Sequence, residues 1–232
     1  MTLRIALYDL DNTLYPYSAG VMQAIDGRIA SFVQERLQLS LEEASALRRS
    51  YFEQYGTTLR GLQQHHAHID AEDYLRYVHD VAIEAFIESD ERLDGLLTVL
   101  PLQKVIFTNS PLEHATRVLR HMGIDQHFSA MFDIRAFNFL AKPHIEAYHV
   151  VLQALGAEGA ECVLFEDTAA NLQPAKELGM TTVLITGAPG MTHPYADFIV
   201  GDVLEATQAI HGLVAPDYIT SPPVTSTISP LT

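Results

Sequence analysis

The chain has 232 residues, 48% apolar and 19% charged, with 14 Lys and Arg against 29 Asp and Glu for a formal charge of -15. This is the composition of one globular domain, or of a core carrying one insertion, and it excludes a disordered chain. The acidic sign counts against nucleic-acid polymers, whose affinity comes largely from cations placed on phosphates, and against an anionic membrane surface.

The single cysteine, Cys162, excludes an intrachain disulfide, and its setting in the run ECVLF reads as a buried structural thiol. The opening stretch MTLRIALYDLDNT lacks the length and flanks of a signal peptide, and no run of ~18 apolar residues occurs. A soluble, cytoplasmic protein is therefore expected.

Along the chain, the first β-like run is Arg4 to Tyr8, and the polar cluster Asp9-Leu10-Asp11-Asn12-Thr13 follows it. From about Tyr17 to Ser89 the pattern is helical. Val21, Ala24, Ile25, Ile29, Phe32 and Val33 recur at helical spacing, followed by Leu41, Ala44, Leu47, Tyr51 and Phe52. Ser40 with Glu43 has the spacing of a capping box, and Asp70 opens a further helix through Tyr74, Tyr77, Val78 and Val81. The cluster His65-His66-Ala67-His68 reads as a solvated helix face rather than a zinc site, since zinc sites usually need i, i+4 spacing or a cysteine.

Four more β-like runs follow: Lys104 to Phe107, Cys162 to Phe165, Thr181 to Ile185 and, more weakly, Phe198 to Val200. Helical segments lie between them, opened by Pro111 and ended by Gly123, over Ile145 to Leu155 with Gly156 after it, and over Leu172 to Leu178 before Gly179. This alternation predicts an α/β fold, a Rossmann-like parallel sheet with helices on both faces, interrupted after its first strand by the helical insertion. The expected organisation is a core of 1–15 and 92–214, a helical cap of 16–91, and a Pro/Ser/Thr-rich loose tail of 215–232 with Tyr218 or Ile219 as local pins.

Ligands of a parallel sheet sit beyond the carboxyl ends of its strands. Asp9 and Asp11 follow the first run, Thr108, Asn109 and Ser110 the second, and Glu166, Asp167 and Thr168 the third, with Lys142-Pro143 between the last two clusters. Carboxylates converging on one edge repel unless a cation sits among them, and an all-oxygen set suits Mg²⁺. Hydroxyls and free amides at a helix start, with one lysine, add an anion site. Together these features describe phosphoryl-transfer chemistry.

Tyr8-Asp9-Leu10-Asp11-Asn12-Thr13-Leu14-Tyr15-Pro16, Phe107-Thr108-Asn109-Ser110, Lys142-Pro143, and Phe165-Glu166-Asp167-Thr168 with Asn171 resemble, in order, the four motifs of the haloacid dehalogenase superfamily. The ending DNTLYP, the segment AEDYLRYVHD and the run KELGM are similar to its pyrimidine 5′-nucleotidase branch. The resemblance implies Asp9 as nucleophile, Asp11 as general acid and then base, and catalytic support from Thr108 and Lys142. It implies phosphate binding by Thr108, the amide of Asn109, and Lys142. It implies Mg²⁺ held by the carboxylates of Asp9 and Asp167 and the backbone carbonyl of Asp11, with Glu166 as a support or alternative ligand. Dehalogenases of this fold lack the second acid, so Asp11 favours a phosphatase.

The implied activity is Mg²⁺-dependent hydrolysis of a small phosphorylated metabolite, with a nucleoside 5′-monophosphate, pyrimidine above all, as the expected substrate. A phosphosugar mutase or a phosphoglycolate-type phosphatase is the alternative, and a non-catalytic binder of the same fold comes last. The helical insertion would be a cap, with Gly20 or Tyr15-Pro16-Tyr17 as hinge. Tyr17 would either stack on a substrate base or pack against the cap.

Overall fold

A computed structural model describes residues 3–186 and 191–214; the tail expected over 215–232 lies outside them. Strand β1 (Ile5–Tyr8) is followed by four helices, α1 (Val21–Leu37), α2 (Leu41–Tyr55), α3 (Thr58–His65) and α4 (Ala71–Val78). Then come α5 (Glu91–Val99), β2 (Gln103–Phe107), α6 (Leu112–Met122), β3 (Phe128–Phe132), α7 (Ile145–Leu155), β4 (Cys162–Glu166), α8 (Ala169–Glu177), β5 (Thr181–Ile185), β6 (Phe198–Val200) and α9 (Val203–Val214). The six strands form one parallel sheet in the order β3-β2-β1-β4-β5-β6.

Side chains alternate across a strand, and here both faces are covered. Ala6, Tyr8, Ile106, Val163, Phe165 and Val183 pack on one side with residues of α5, α6 and α9. Ile5, Leu7, Val105, Phe107, Cys162 and Leu164 pack on the other with residues of α7 and α8. This is why the central runs are continuously apolar. Cys162 is buried, as expected, and burial pushes its thiol up to about 11.

Two elements depart from the sequence reading. The strand β3 was not among the five runs, because FSAMF lies at the sheet edge with Ser129 exposed and its last three residues only partly covered, so it carries neither alternation nor a buried run. Helix α8 begins at Ala169, three residues before its first fully buried leucine.

The inserted helices are stopped and started by their own polar residues. Ser40 and Glu43 form the capping box of α2, Thr57 caps α3 and Asp70 caps α4, each such cap stabilising by ~1 kcal/mol. Their apolar faces meet in a separate cluster of Phe32, Val33, Tyr51, Leu62, Tyr74 and Val78, and Ile134 and Ala141 from the loop after β3 join it. In contrast, α5 packs with the sheet cluster, as do Leu14 and Tyr15 of the outgoing linker and Val81, Ile83 and Ile87 of the returning one. Gly20, at φ 95°, lies where the linkers meet: a Cβ there would come 3.3 Å from the Phe86 ring.

Candidate active site

The neighbouring strands β2, β1 and β4 run parallel, so Asp9, Thr108 and Glu166 reach the same sheet edge, where the strand order reverses. Lys142, 1% exposed, comes in over this edge from the loop before α7. Its Nζ donates to Asp9 Oδ1 at 2.7 Å and to Glu166 Oε2 at 2.6 Å. The lysine is locked through its backbone: its N–H donates to Asn109 Oδ1 at 2.9 Å, and Asn109 Nδ2 donates back to its carbonyl at 3.1 Å.

Burial, the Glu166 charge and, less strongly, Asp11 push the Asp9 carboxyl up to about 7 against the pull of Lys142. Burial and neighbouring Asp167 push Glu166 up to about 7 as well, again against Lys142. Asp167 is raised by burial and by Asp9. Burial alone would lower the Lys142 ammonium, but the two carboxylates outweigh it and hold the lysine charged. The cluster is thus short of positive charge even with its lysine in place.

Asp9, Glu166 and Asp167 each offer a carboxylate oxygen, and these oxygens lie within 4.8 Å of one another. An all-oxygen, carboxylate-rich set of this kind fits a hard cation such as Mg²⁺. Both Glu166 oxygens are engaged, Oε2 by Lys142 and Oε1 by the Thr168 N–H at 3.1 Å, which makes Asp9 and Asp167 the freer pair. Asp167 Oδ2 is steadied by Asn12 Nδ2 at 3.3 Å, and Asn12 itself sits at φ 61°, a left-handed conformation that asparagine tolerates better than most residues.

Asp11 is two residues from Asp9 but is held quite differently. Its Oδ1 accepts from His114 Nε2 at 2.8 Å and, in a short hydrogen bond, from the Tyr15 hydroxyl; its Oδ2 accepts a short bond from Ser110 Oγ. Burial acts to raise this carboxyl, but the His114 charge and the three donors outweigh it and hold Asp11 well below the usual carboxylate range. The Asp11 carboxylate is outside the acidic triplet.

A cavity of about 460 Å³ opens from Asp9, Thr108, Asn109 and Asp167 toward the inserted helices. Met22, Ile25 and Ile29 of α1, Arg49 and Phe52 of α2, and Tyr17 of the linker line its far side. Tyr17 and Phe52 are 63% and 56% exposed. Thr108 is buried, and its Oγ1 accepts from the Ser110 N–H at 3.0 Å.

The structure therefore brings Asp9, Thr108, Asn109, Lys142, Glu166 and Asp167 together, with Asp11 beside them on separate donors. Sequence reasoning missed the acid's partners Tyr15, Ser110 and His114 as a group. The available signal was spacing: Tyr15 is four residues after Asp11, and His114 falls in the first turn of α6, polar at a position that helical periodicity buries. The His65–His68 cluster is not a metal group among the described residues; its rings instead meet Tyr51 and Tyr55, with Tyr51 Oη 2.9 Å from His66 Nε2 and Tyr55 Oη 2.6 Å from His65 Nε2.

Among curated proteins, the chain is 26% identical over 195 residues to Phosphate metabolism protein 8 of Saccharomyces cerevisiae, covering 78% of this chain and 61% of that protein. It is 24% identical over 222 residues to the Glyceraldehyde 3-phosphate phosphatase of Methanocaldococcus jannaschii, covering 89% of this chain and 96% of that one. The chain thus spans 61% of the length of its yeast relative. Among solved structures, it shares the fold of the L-2-haloacid dehalogenase of Xanthobacter autotrophicus at a TM-score of 0.59 and 15% identity, over 91% of this chain and 100% of that one. A haloacid dehalogenase-type phosphatase of Thermococcus onnurineus is similar at 0.59 and 18% identity, over 90% and 98% of the two chains. The haloacid dehalogenase-like hydrolase family matches residues 3–179, and with that match the fold and the edge cluster have one account: this chain belongs to the haloacid dehalogenase-like hydrolases.

Proposed function

We infer that the protein is a Mg²⁺-dependent phosphatase that hydrolyses a nucleoside 5′-monophosphate, pyrimidine above all, through an aspartyl-phosphate on Asp9. The observation that carries this reading is the cavity over Asp9, whose lining combines the triplet of carboxylates, two of them bonded to the buried Lys142, with the exposed rings of Tyr17 and Phe52. The first set suits a phosphate and its cation; the second gives a flat apolar group something to stack on. The phosphatase names of two relatives support the hydrolytic half of the reading.

In this reading 16–91 is the cap, and 1–15 with 92–214 the catalytic core. A bound Mg²⁺ would be held by Asp9, Asp167 and the Asp11 carbonyl, with Glu166 in support, and would neutralise charge on the phosphate oxygens. The Asp9 carboxylate attacks phosphorus, the bond from phosphorus to the ester oxygen breaks, and that oxygen takes a proton from Asp11, which must enter this step protonated against the pull of its three donors. Water then attacks phosphorus, its proton passes to Asp11, and the bond to Asp9 breaks, releasing phosphate and regenerating both acids. Lys142, Thr108 and the Asn109 amide bind the phosphate oxygens, and Lys142 keeps Asp9 ionised for the attack.

A second reading, a phosphatase of a small phosphotriose or phosphoglycolate-like ester, is favoured by the near full-length likeness to the archaeal enzyme.

The test is phosphate release over a panel of nucleoside monophosphates, sugar phosphates, glyceraldehyde 3-phosphate and phosphoglycolate. Turnover should require Mg²⁺, disappear in EDTA, and fall by about 10⁴-fold or more in Asp9→Asn. Phe52→Ala and Tyr17→Ala should each raise KM for the nucleotide several-fold, by about 1 kcal/mol of lost stacking, and leave phosphoglycolate unchanged. Best turnover on the small esters would replace the nucleotide reading with the second one; no turnover on any ester would remove both.

A further inference from the structure

His114 has no packing reason to be a histidine. Its side chain is fully buried, and its Nδ1 has no hydrogen-bond partner among the described residues. Burying a polar atom unpaired costs ~1–3 kcal/mol, so an apolar side chain of similar size would serve the fold better. What the histidine gains is on the other nitrogen, where Nε2 donates to Asp11 Oδ1 at 2.8 Å.

The face of the ring is also occupied. His79, the residue that ends α4, lies with its ring centroid 4.9 Å from that of His114, tilted by 51°. His79 is itself fixed, its Nδ1 donating to the Leu75 carbonyl at 2.9 Å. A line of contacts thus runs from the last inserted helix, through His79 and His114, to Asp11. The chain leaves His79 through Val81 and Ile83, both buried in the sheet cluster, so this end of α4 is anchored on the core. Tyr15 and Ser110 complete the set of donors, but both sit on loops at the sheet edge, whereas His114 is carried by a regular helix.

We propose that His114 is a positioning residue that aims the Asp11 carboxylate, and that His79 holds the His114 ring in place from the inserted helices. This rests on Asp11 being the acid–base group of the reaction. The three donors fix which way the Asp11 carboxylate faces, and His114 is the one of them carried by a regular helix. Removal of the His114 donor would let Asp11 turn away from the attacking water while leaving Asp9 free to react.

The two steps separate on p-nitrophenyl phosphate, whose leaving group departs without a proton. In the full-length chain with Mg²⁺, His114→Leu should still release one nitrophenolate per enzyme in a burst, while the steady rate falls by about tenfold or more, within the usual range of acid–base contributions. KM should fall with kcat, and a phosphate adduct should appear in the acid-quenched intact mass. His114→Gln, which keeps an N–H near the Nε2 position, should recover the steady rate to within a few-fold. His79→Ala should show the same pattern at about a two- to threefold loss, a small fraction of the ~10²–10⁴-fold that acid–base catalysis contributes.

Equal loss of burst and steady rate in His114→Leu, as misfolding would give, with no effect in His79→Ala, would overturn the proposal, and so would a wild-type steady rate in His114→Leu. Asp11→Asn separates the two levels. If it accumulates the adduct and His114→Leu does not, the acid–base reading stands and the positioning role falls; if Asp11→Asn changes neither rate, both fall.

Discussion

The sheet edge and the helical layer facing it are built on different principles. At the edge, charge is buried and paired at fixed distances: Lys142 bridges Asp9 and Glu166, and all three are nearly inaccessible. In the layer, the groups that line the cavity are mixed: the exposed rings of Tyr17 and Phe52, the aliphatic Met22, Ile25 and Ile29, the exposed Arg49, and one ion pair, Arg48 with Asp26 at 2.6 Å. The edge can do one kind of chemistry and little else. Most of the layer's cavity-lining side chains make no contact with the buried Asp9–Lys142–Glu166 group, so the layer has more room to vary.

The largest expected effect is on the edge. Lys142→Met leaves two buried carboxylates without their cation, and breaking a buried pair in this way costs about 3–5 kcal/mol. Urea unfolding of the metal-free chain should read that loss directly. A loss of less than 1 kcal/mol, on the scale of an exposed ion pair, would erase the contrast between edge and layer. Part of the cost would vanish at low pH, where the orphaned carboxyls take up protons.

The same pair gives the wild-type chain a pH signature. Asp9 and Glu166 are raised to about 7, above their ordinary carboxyl values, so between pH ~4 and about 7 the folded chain binds more protons than the unfolded one. Stability of the metal-free protein should therefore fall as pH rises through that window, by about 2 kcal/mol for each of the two carboxyls between pH ~5 and ~7. Asp11, held low, acts in the opposite sense, but its contribution is lost only on acidification below the ordinary carboxyl range. Melting curves with and without Mg²⁺ check both points. The cation should raise the melting temperature most near pH 7.5 and least near pH 5, and a flat difference would remove the metal from the edge.

The smallest contrast is steric. A Cβ on Gly159 would lie 1.9 Å from the Leu178 carbonyl oxygen, which is backbone and cannot yield without moving the turn after α8. A Cβ on Gly61 would lie 2.3 Å from Tyr51 Cγ and 2.5 Å from its Cβ, on the α2–α3 contact of the layer, and neither atom moves when the ring turns about its own axis. Gly159→Ala and Gly61→Ala should each cost about 3 kcal/mol by overpacking. Only Gly61→Ala should alter substrate preference, which kinetics on two esters would reveal.

How far each part could be read from the sequence follows the same division. The central strands announce themselves because burial on two faces forces an unbroken apolar run, and the residues after those runs must then meet at one edge. Asp9, Thr108 and Asp167 follow such runs; Lys142 does not, and it was picked out by its place between the clusters and by the family resemblance, which also supplied the roles. The edge strand β3 escaped that logic, since a half-covered strand needs no such run. The donors on Asp11 escaped for another reason: Asp11 and His114 are 103 residues apart, and only the packing of α6 beneath the sheet edge joins them. Asn109 was expected to act through its amide on phosphate; its side chain is committed to the Lys142 backbone, a contact over 33 residues with no local signature. Of the cavity wall, Tyr17 alone was singled out; Phe52, which shares its exposure, was read only as part of a helical stripe.

The loop between β3 and Lys142 blurs the boundary between the two layers. Ile134 and Ala141 are buried among the inserted helices, and Arg135 reaches Glu72 of α4 with both oxygens paired, at 2.8 and 2.7 Å, while also holding Glu113 of α6 at 3.0 Å. The lysine at the end of this loop thus inherits its position in part from residues inserted after the first strand. For anyone recombining parts of related hydrolases, the unit of exchange is not the contiguous insertion. A transplanted 16–91 would arrive with a hole where Ile134 and Ala141 belong and with Glu72 lacking its arginine partner. A chimera that carries 133–141 along with the insertion should fold where the simple graft does not.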